Sequence, residues 1–160
     1  MELDSRELMI LKEIGNIGAG QSSILLAKLL NRDILLEPGD IRIIKKEDLF
    51  DAIGAPQGGV FGLYMALYED IIGDSMVLFK NDSLARIIDL AKEKKLGTTR
   101  HVKQDINKQI IKDIAYRVLV PYIESLSQML EVDIKYTVPI PVHENSKQPV
   151  SYTHLRAHET

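Results

Sequence analysis

At 160 residues the chain is long enough to bury one sizeable core and short enough to form a single domain. Hydrophobic residues make up 45% and charged residues 27%, an ordinary globular balance, and a net charge of −3 excludes the basic footprint of a nucleic-acid binder. Cysteine is absent, which rules out disulfides and thiolate sites; the charged start MELDSRELM is not a signal peptide, and no apolar run nears the ~18 residues of a membrane span. The expectation is a cytoplasmic protein without membrane insertion.

In chain order, Ser5 to Leu30 carries apolar residues at helical spacing, and Asp4 or Ser5 can cap its start. Ile10, Ile14, Ile17 and Ile24 are the stripe expected to face the core. Asp33–Leu36 and Asp40–Lys45, split by Pro38-Gly39, read as strand, turn, strand. Lys46 to Gly59 reads as irregular. Val60–Tyr68 and Ser75–Phe79 read as a hairpin. Asn81-Asp82-Ser83 starts a short helix to about Lys95, with Leu84, Ile87, Ile88 and Ala91 on its apolar side. Gly97-Thr98-Thr99 is a linker. Gln104 to Leu130 reads as a second long helix, which Pro121 should kink or break. Asp133–Pro141 opens a further strand region.

The last eleven residues, VSYTHLRAHET, lack any helical or strand period and match the translation of a transposase adapter used in sequencing libraries. Residues 150–160 are therefore set aside as a scar, His154 and His158 support no metal site, and the natural chain is expected to continue beyond Pro149. His101 and His143 are separated and lack partner ligands, so no metal site is expected. The Lys92-Glu93-Lys94-Lys95 run reads as a charged helix end favoured by the dipole.

Two segments align without a gap at an offset of one hundred residues: LKEIGNIGAGQSSILLAKLLNRDI from Leu11 and IKDIAYRVLVPYIESLSQMLEVDI from Ile111. Lys12/Lys112, Ile14/Ile114, Leu26/Leu126, Leu30/Leu130, Asp33/Asp133 and Ile34/Ile134 are identical. Such a repeat implies an α/β (α+β) fold of two pseudo-symmetric halves, each a long helix packed on antiparallel strands. Residues 1–149 would form this domain, with 1–100 as the first half and 101–149 as an incomplete second.

The stretch EIGNIGAGQSS, Glu13 to Ser23, holds Gly15, Gly18 and Gly20. No strand precedes it, its order is G-x-x-G-x-G, and Gly20 is followed by Gln21 rather than lysine, all against a phosphate loop. Within a helix, three glycines cost about 3 kcal/mol against alanine, which close packing or function must offset. On that helix Glu13, Asn16 and Gly20 (i, i+3, i+7) line one stripe, continued by Ser23 and Ala27. The pattern alone leaves two readings open: a solvated face whose glycines permit tight helix packing, or a face kept bare for a partner.

EIGNIGAG on a long first helix, with a pseudo-symmetric second helix and the hairpin ALYEDIIGDSMVLF, resembles the CheC-type chemotaxis phosphatases (CheC/CheX/FliY-like). The family motif is Asp or Ser, then Glu four residues on, Asn three further, and a later proline. Glu13 and Asn16 match it, and Pro38 matches to within one residue. Met9 stands where Asp or Ser is expected. In the second half Gln109, Asp113 and Tyr116 occupy the motif positions, although Pro139 keeps its place. The resemblance implies one intact site and one degenerate one.

By that resemblance the chain would hydrolyse the phospho-aspartate of the response regulator CheY. Asn16 would position the water, and Glu13 would anchor the regulator through its active-site lysine. Gly15, Gly18 and Gly20 would let the regulator's loops approach, and Tyr116 would serve packing in place of a lost amide. No cofactor of its own is implied, since Mg2+ would belong to the regulator's pocket. The CheD deamidase is a further implied partner. A different class remains open: a non-catalytic module binding the regulator or CheD, or a flagellar-switch-like component. More remote is an unrelated soluble α/β domain.

Overall fold

A computed structural model describes residues 2–54, 59–102 and 105–144. The adapter-like tail, with His154 and His158, lies outside them, as do Pro56, Gly58 and Gln104. The first helix, α1 (Ser5–Leu30), starts in a capping box. The Asp4 carboxylate accepts from the Glu7 N–H at 2.8 Å, and the Glu7 carboxylate accepts from the Asp4 N–H at 2.9 Å, so two orphan donors are met reciprocally. It ends at Asn31, which adopts the left-handed region (φ 49°) that an asparagine side chain tolerates.

Residues 32–45 form no strand, contrary to the expected strand–turn–strand. The Leu36 N–H is taken by Ser23 Oγ at 2.7 Å, Pro38 has no N–H, and the central strand Val60–Glu69 has both its edges occupied by other strands. Lys46–Ile53, expected to be irregular, forms a 3-10 turn (Lys46–Asp48) running into a short helix α2 (Leu49–Ile53).

The expected hairpin is present: β1 (Val60–Glu69) pairs antiparallel with β2 (Gly73–Lys80), from Val60 opposite Lys80 to Leu67 opposite Gly73. Helix α3 (Asn81–Ala91) follows directly, and α4 (Asp105–Leu130) is the second long helix. Two short strands, β3 (Ile134–Tyr136) and β4 (Ile140–Glu144), then pair antiparallel with the other edge of β1. Between them the Thr137 N–H donates to the Ala66 carbonyl and Thr137 Oγ1 accepts from the Ala66 N–H, both at 3.0 Å, so β1 keeps its partners across the gap. The hairpin tip is tied to β3, since the Asp133 N–H donates to the Asp70 carboxylate at 2.7 Å. The fold is thus mixed α/β, as expected, with long helix α4 against an antiparallel sheet and the other long helix, α1, packed on α4.

The core has two parts. One joins Phe61 and Leu63 of β1 to Leu84 and Ile88 of α3 and to Ile111 and Ala115 of α4. The other joins Met65 to Leu119, Val120, Ile123 and Ile134. Helix α1 packs chiefly on α4. Its buried stripe runs Ile14, Gly18, Ser22, Leu26 and Leu30, at steps of four. The expected stripe is therefore corrected: Ile14 is buried, Ile10 and Ile17 are half-buried, and Ile24 is 58% exposed. Small residues permit the close helix contact, and apolar spacing does not reveal them. Helix α4 continues through Pro121 without the expected break; Pro121 is buried, and its carbonyl accepts from Ser125 Oγ at 2.6 Å.

Both long helices have 26 residues, begin and end one hundred residues apart, and stop at a left-handed residue, Asn31 or Glu131 (φ 49° and 54°). They diverge afterwards: β3 pairs with β1, whereas 33–45 pairs with no strand.

Candidate functional site on the first helix

Helix α1 is unbroken through its three glycines. Glu13 and Asn16 both project to solvent, one turn apart, and neither side chain is bonded to another described residue. Gly20 continues the same stripe a further turn along, and a Cβ added there would meet nothing within 4 Å. Met9 and Ile24 extend this stripe at either end, 69% and 58% exposed. The exposed line is thus apolar, carboxylate, amide, gap, apolar. Ser23 turns inward instead: it is buried, and its Oγ donates to the Ala19 carbonyl at 2.8 Å.

The other two glycines do not share that outward face, which corrects the expectation that they would admit a partner's loops. Gly18 is buried against α4, where a Cβ would lie 2.7 Å from Tyr122 Cδ1. Gly15 is buried beneath the 38–41 segment, where a Cβ would lie 3.7 Å from Pro38 Cβ and 3.8 Å from Ile41 Cδ1. Pro38 therefore sits against the helix beside the Glu13–Asn16 turn.

At the equivalent place on α4, the half-buried Asp113 accepts from Gln109 Nε2 at 3.1 Å. Tyr116 packs edge-on against Tyr136, with ring centroids 6.4 Å apart at 67°. Burial first, then the Tyr116 hydroxyl, push the Tyr136 phenol up to about 12. The Asp113–Tyr116 pair thus sits among protein contacts, unlike Glu13 and Asn16. Among the described residues no group of three or more His, Asp or Glu could hold a metal ion, and no described helix is long and apolar enough to cross a membrane.

One polar centre escaped the sequence reading. Asp89, on the inward side of α3, is fully buried. Its carboxylate accepts from the Thr99 hydroxyl at 2.6 Å and from the N–H groups of Gly97, Thr98 and Thr99 at 2.9–3.1 Å. The Thr99 hydroxyl above all, with these backbone donors, holds the carboxyl below its usual range against desolvation. The available signal was an aspartate within an apolar helix face, followed closely by Gly-Thr-Thr.

The arrangement defines a class before any relative is considered: an α/β domain that displays a carboxylate and a carboxamide side by side on a long outer helix. No family model matches the chain. A curated relative, the CheY-P phosphatase CheC of Bacillus subtilis (strain 168), is 32% identical over 71 residues, 44% of this chain and 34% of that protein. The match thus spans about a third of that relative's length. Among solved structures, Thermotoga maritima FliY has a TM-score of 0.79 at 21% identity, covering 94% of this chain and 75% of that one. The FliY likeness establishes the fold. Together the two bear out the resemblance to CheC-type proteins.

Proposed function

We propose that this chain is a cytoplasmic CheC-type phosphatase that removes the phosphoryl group from the aspartate of a phosphorylated response regulator, CheY. The observation that carries the reading is the pair Glu13 and Asn16, adjacent, exposed and unengaged on an unbroken helix. Phospho-aspartate is an acyl phosphate, already activated, so hydrolysis needs chiefly a water held in line with phosphorus and charge neutralised around it. A neutral carboxamide meets both needs, because the Asn16 carbonyl accepts from the water while its NH2 donates toward phosphoryl oxygens. A carboxylate placed as base there would be repelled by the phosphoryl group. Glu13 instead anchors the partner by pairing with a cation, the regulator's active-site lysine. Divalent metal belongs to the regulator's acidic pocket. The CheC relative's name supports the substrate, and the single outward-facing pair supports one working site rather than two.

A second reading has its own support. Met9 stands in place of the motif's polar residue, and the second half has lost the pair, with Asp113 and Tyr116 in its places. These favour a non-catalytic module that binds the regulator or CheD. One assay separates the two: phosphate loss from phosphorylated regulator with Mg2+, for wild type, Asn16→Ala and Glu13→Ala. The phosphatase reading expects Asn16→Ala to slow loss about a hundredfold and Glu13→Ala to weaken regulator binding. Equal rates for wild type and Asn16→Ala overturn it, and binding without dephosphorylation establishes the module.

A further inference from the structure

A cavity of about 340 Å³ lies between the end of α3 and the start of α4, apart from Glu13 and Asn16. Its lining brings together Lys92 and Lys94 from the end of α3 with Arg100 and His101 from the loop that follows, and includes no carboxylate among the described residues. The helix dipole accounts for lysines at the end of α3. It does not account for Arg100 and His101, which a separate stretch of chain turns to the same space.

The cavity is built rather than incidental. The loop forming one wall is held by Asp89, whose buried carboxylate binds three successive N–H groups and the Thr99 hydroxyl. Asn107, 1% exposed, accepts from Lys92 Nζ and donates through Nδ2 to the His101 carbonyl at 3.2 Å, fixing the lysine and the loop against α4. Asp89 is not itself a lining residue: its oxygens are taken, behind the loop, by the N–H groups of Gly97, Thr98 and Thr99 and by the Thr99 hydroxyl.

We propose that this cavity binds a small phosphate-bearing anion. Its volume falls in the range of small-molecule sites, roughly 300–1,000 Å³. Arg100 offers a planar fork matched to phosphate oxygens, and Lys92 and Lys94 add compact charges. A half-enclosed recess with its cations on two converging walls favours a compact polyanion over an extended acidic peptide.

The test titrates the isotopically labelled protein with pyrophosphate at constant ionic strength and follows its amide resonances. Saturable shifts confined to residues 92–94, 98–101 and 106–107 are expected. The double substitution Lys94→Ala/Arg100→Ala, at two exposed positions, should weaken binding at least tenfold. The charge-matched control Lys28→Ala/Arg42→Ala should leave it within twofold. Shifts that never saturate, or equal losses in the two doubles, overturn the proposal. Tighter binding of hexaglutamate than of pyrophosphate also overturns it, in favour of an acidic protein partner.

Discussion

A methyl group added at residue 18 would meet the Tyr122 ring at 2.7 Å, whereas one added at residue 20 would meet nothing within 4 Å. Gly→Ala within a helix gains about 1 kcal/mol of propensity, and overpacking a tight contact costs roughly 1–3 kcal/mol. Gly18→Ala should therefore destabilise the protein by about 1 kcal/mol net, and Tyr122→Leu should relieve most of that loss. Gly20→Ala should stabilise it by roughly 0.5–1 kcal/mol. Urea unfolding of the four proteins measures both. If residue 20 is also where a regulator comes close, Gly20→Ala will lower regulator binding while raising stability. Helical spacing made the shared face of Glu13, Asn16 and Gly20 legible, because residues three and seven apart must align. It could not tell which glycine faces inward, since that depends on Tyr122, distant in sequence. Asp89 left only the trace of an aspartate in an apolar helix face, because its donors lie in a loop whose path only the folded chain defines.

At the scale of elements, segments whose partners are close in sequence were legible, and those needing a distant edge were not. The β1–β2 hairpin and both long helices follow from local period and turn residues. Residues 33–45 have strand composition, yet a strand forms only where an edge is free to receive it. Here both edges of β1 are taken, by β2 on one side and by β3 and β4 on the other, and 33–45 pairs with neither outer edge of the sheet. The amides of 33–45 should exchange with deuterium orders of magnitude faster than those of 61–67, Leu36 alone being slowed by its bond to Ser23. Comparable protection across both stretches would show that 33–45 is paired in solution. In α4, proline was a misleading signal. Losing one N–H at residue 121 does not end a helix whose neighbouring turns are packed on both the sheet and α1.

The molecule as a whole is layered, with the sheet against α4 and α1 chiefly on α4's far side. The repeat predicted matching long helices, and they stop alike, but the chain after each behaves differently. As a result Leu35, Ile43 and Ile44 stay in water, Leu35 at 77% exposure. An apolar set of this kind promotes association. Sedimentation should show concentration-dependent oligomers, reduced by Leu35→Lys/Ile43→Lys; identical profiles would mean another surface is responsible. The capped, glycine-notched rod has a different consequence. A recognition pair carried on a flexible loop loses backbone freedom at every encounter, about 1–2 kcal/mol for each residue fixed. If Glu13 and Asn16 are the pair that meets a partner, they ride on backbone that folding has already immobilised, so docking would need only to still two side chains, and their separation would work as a gauge that an ill-matched visitor cannot bend to fit.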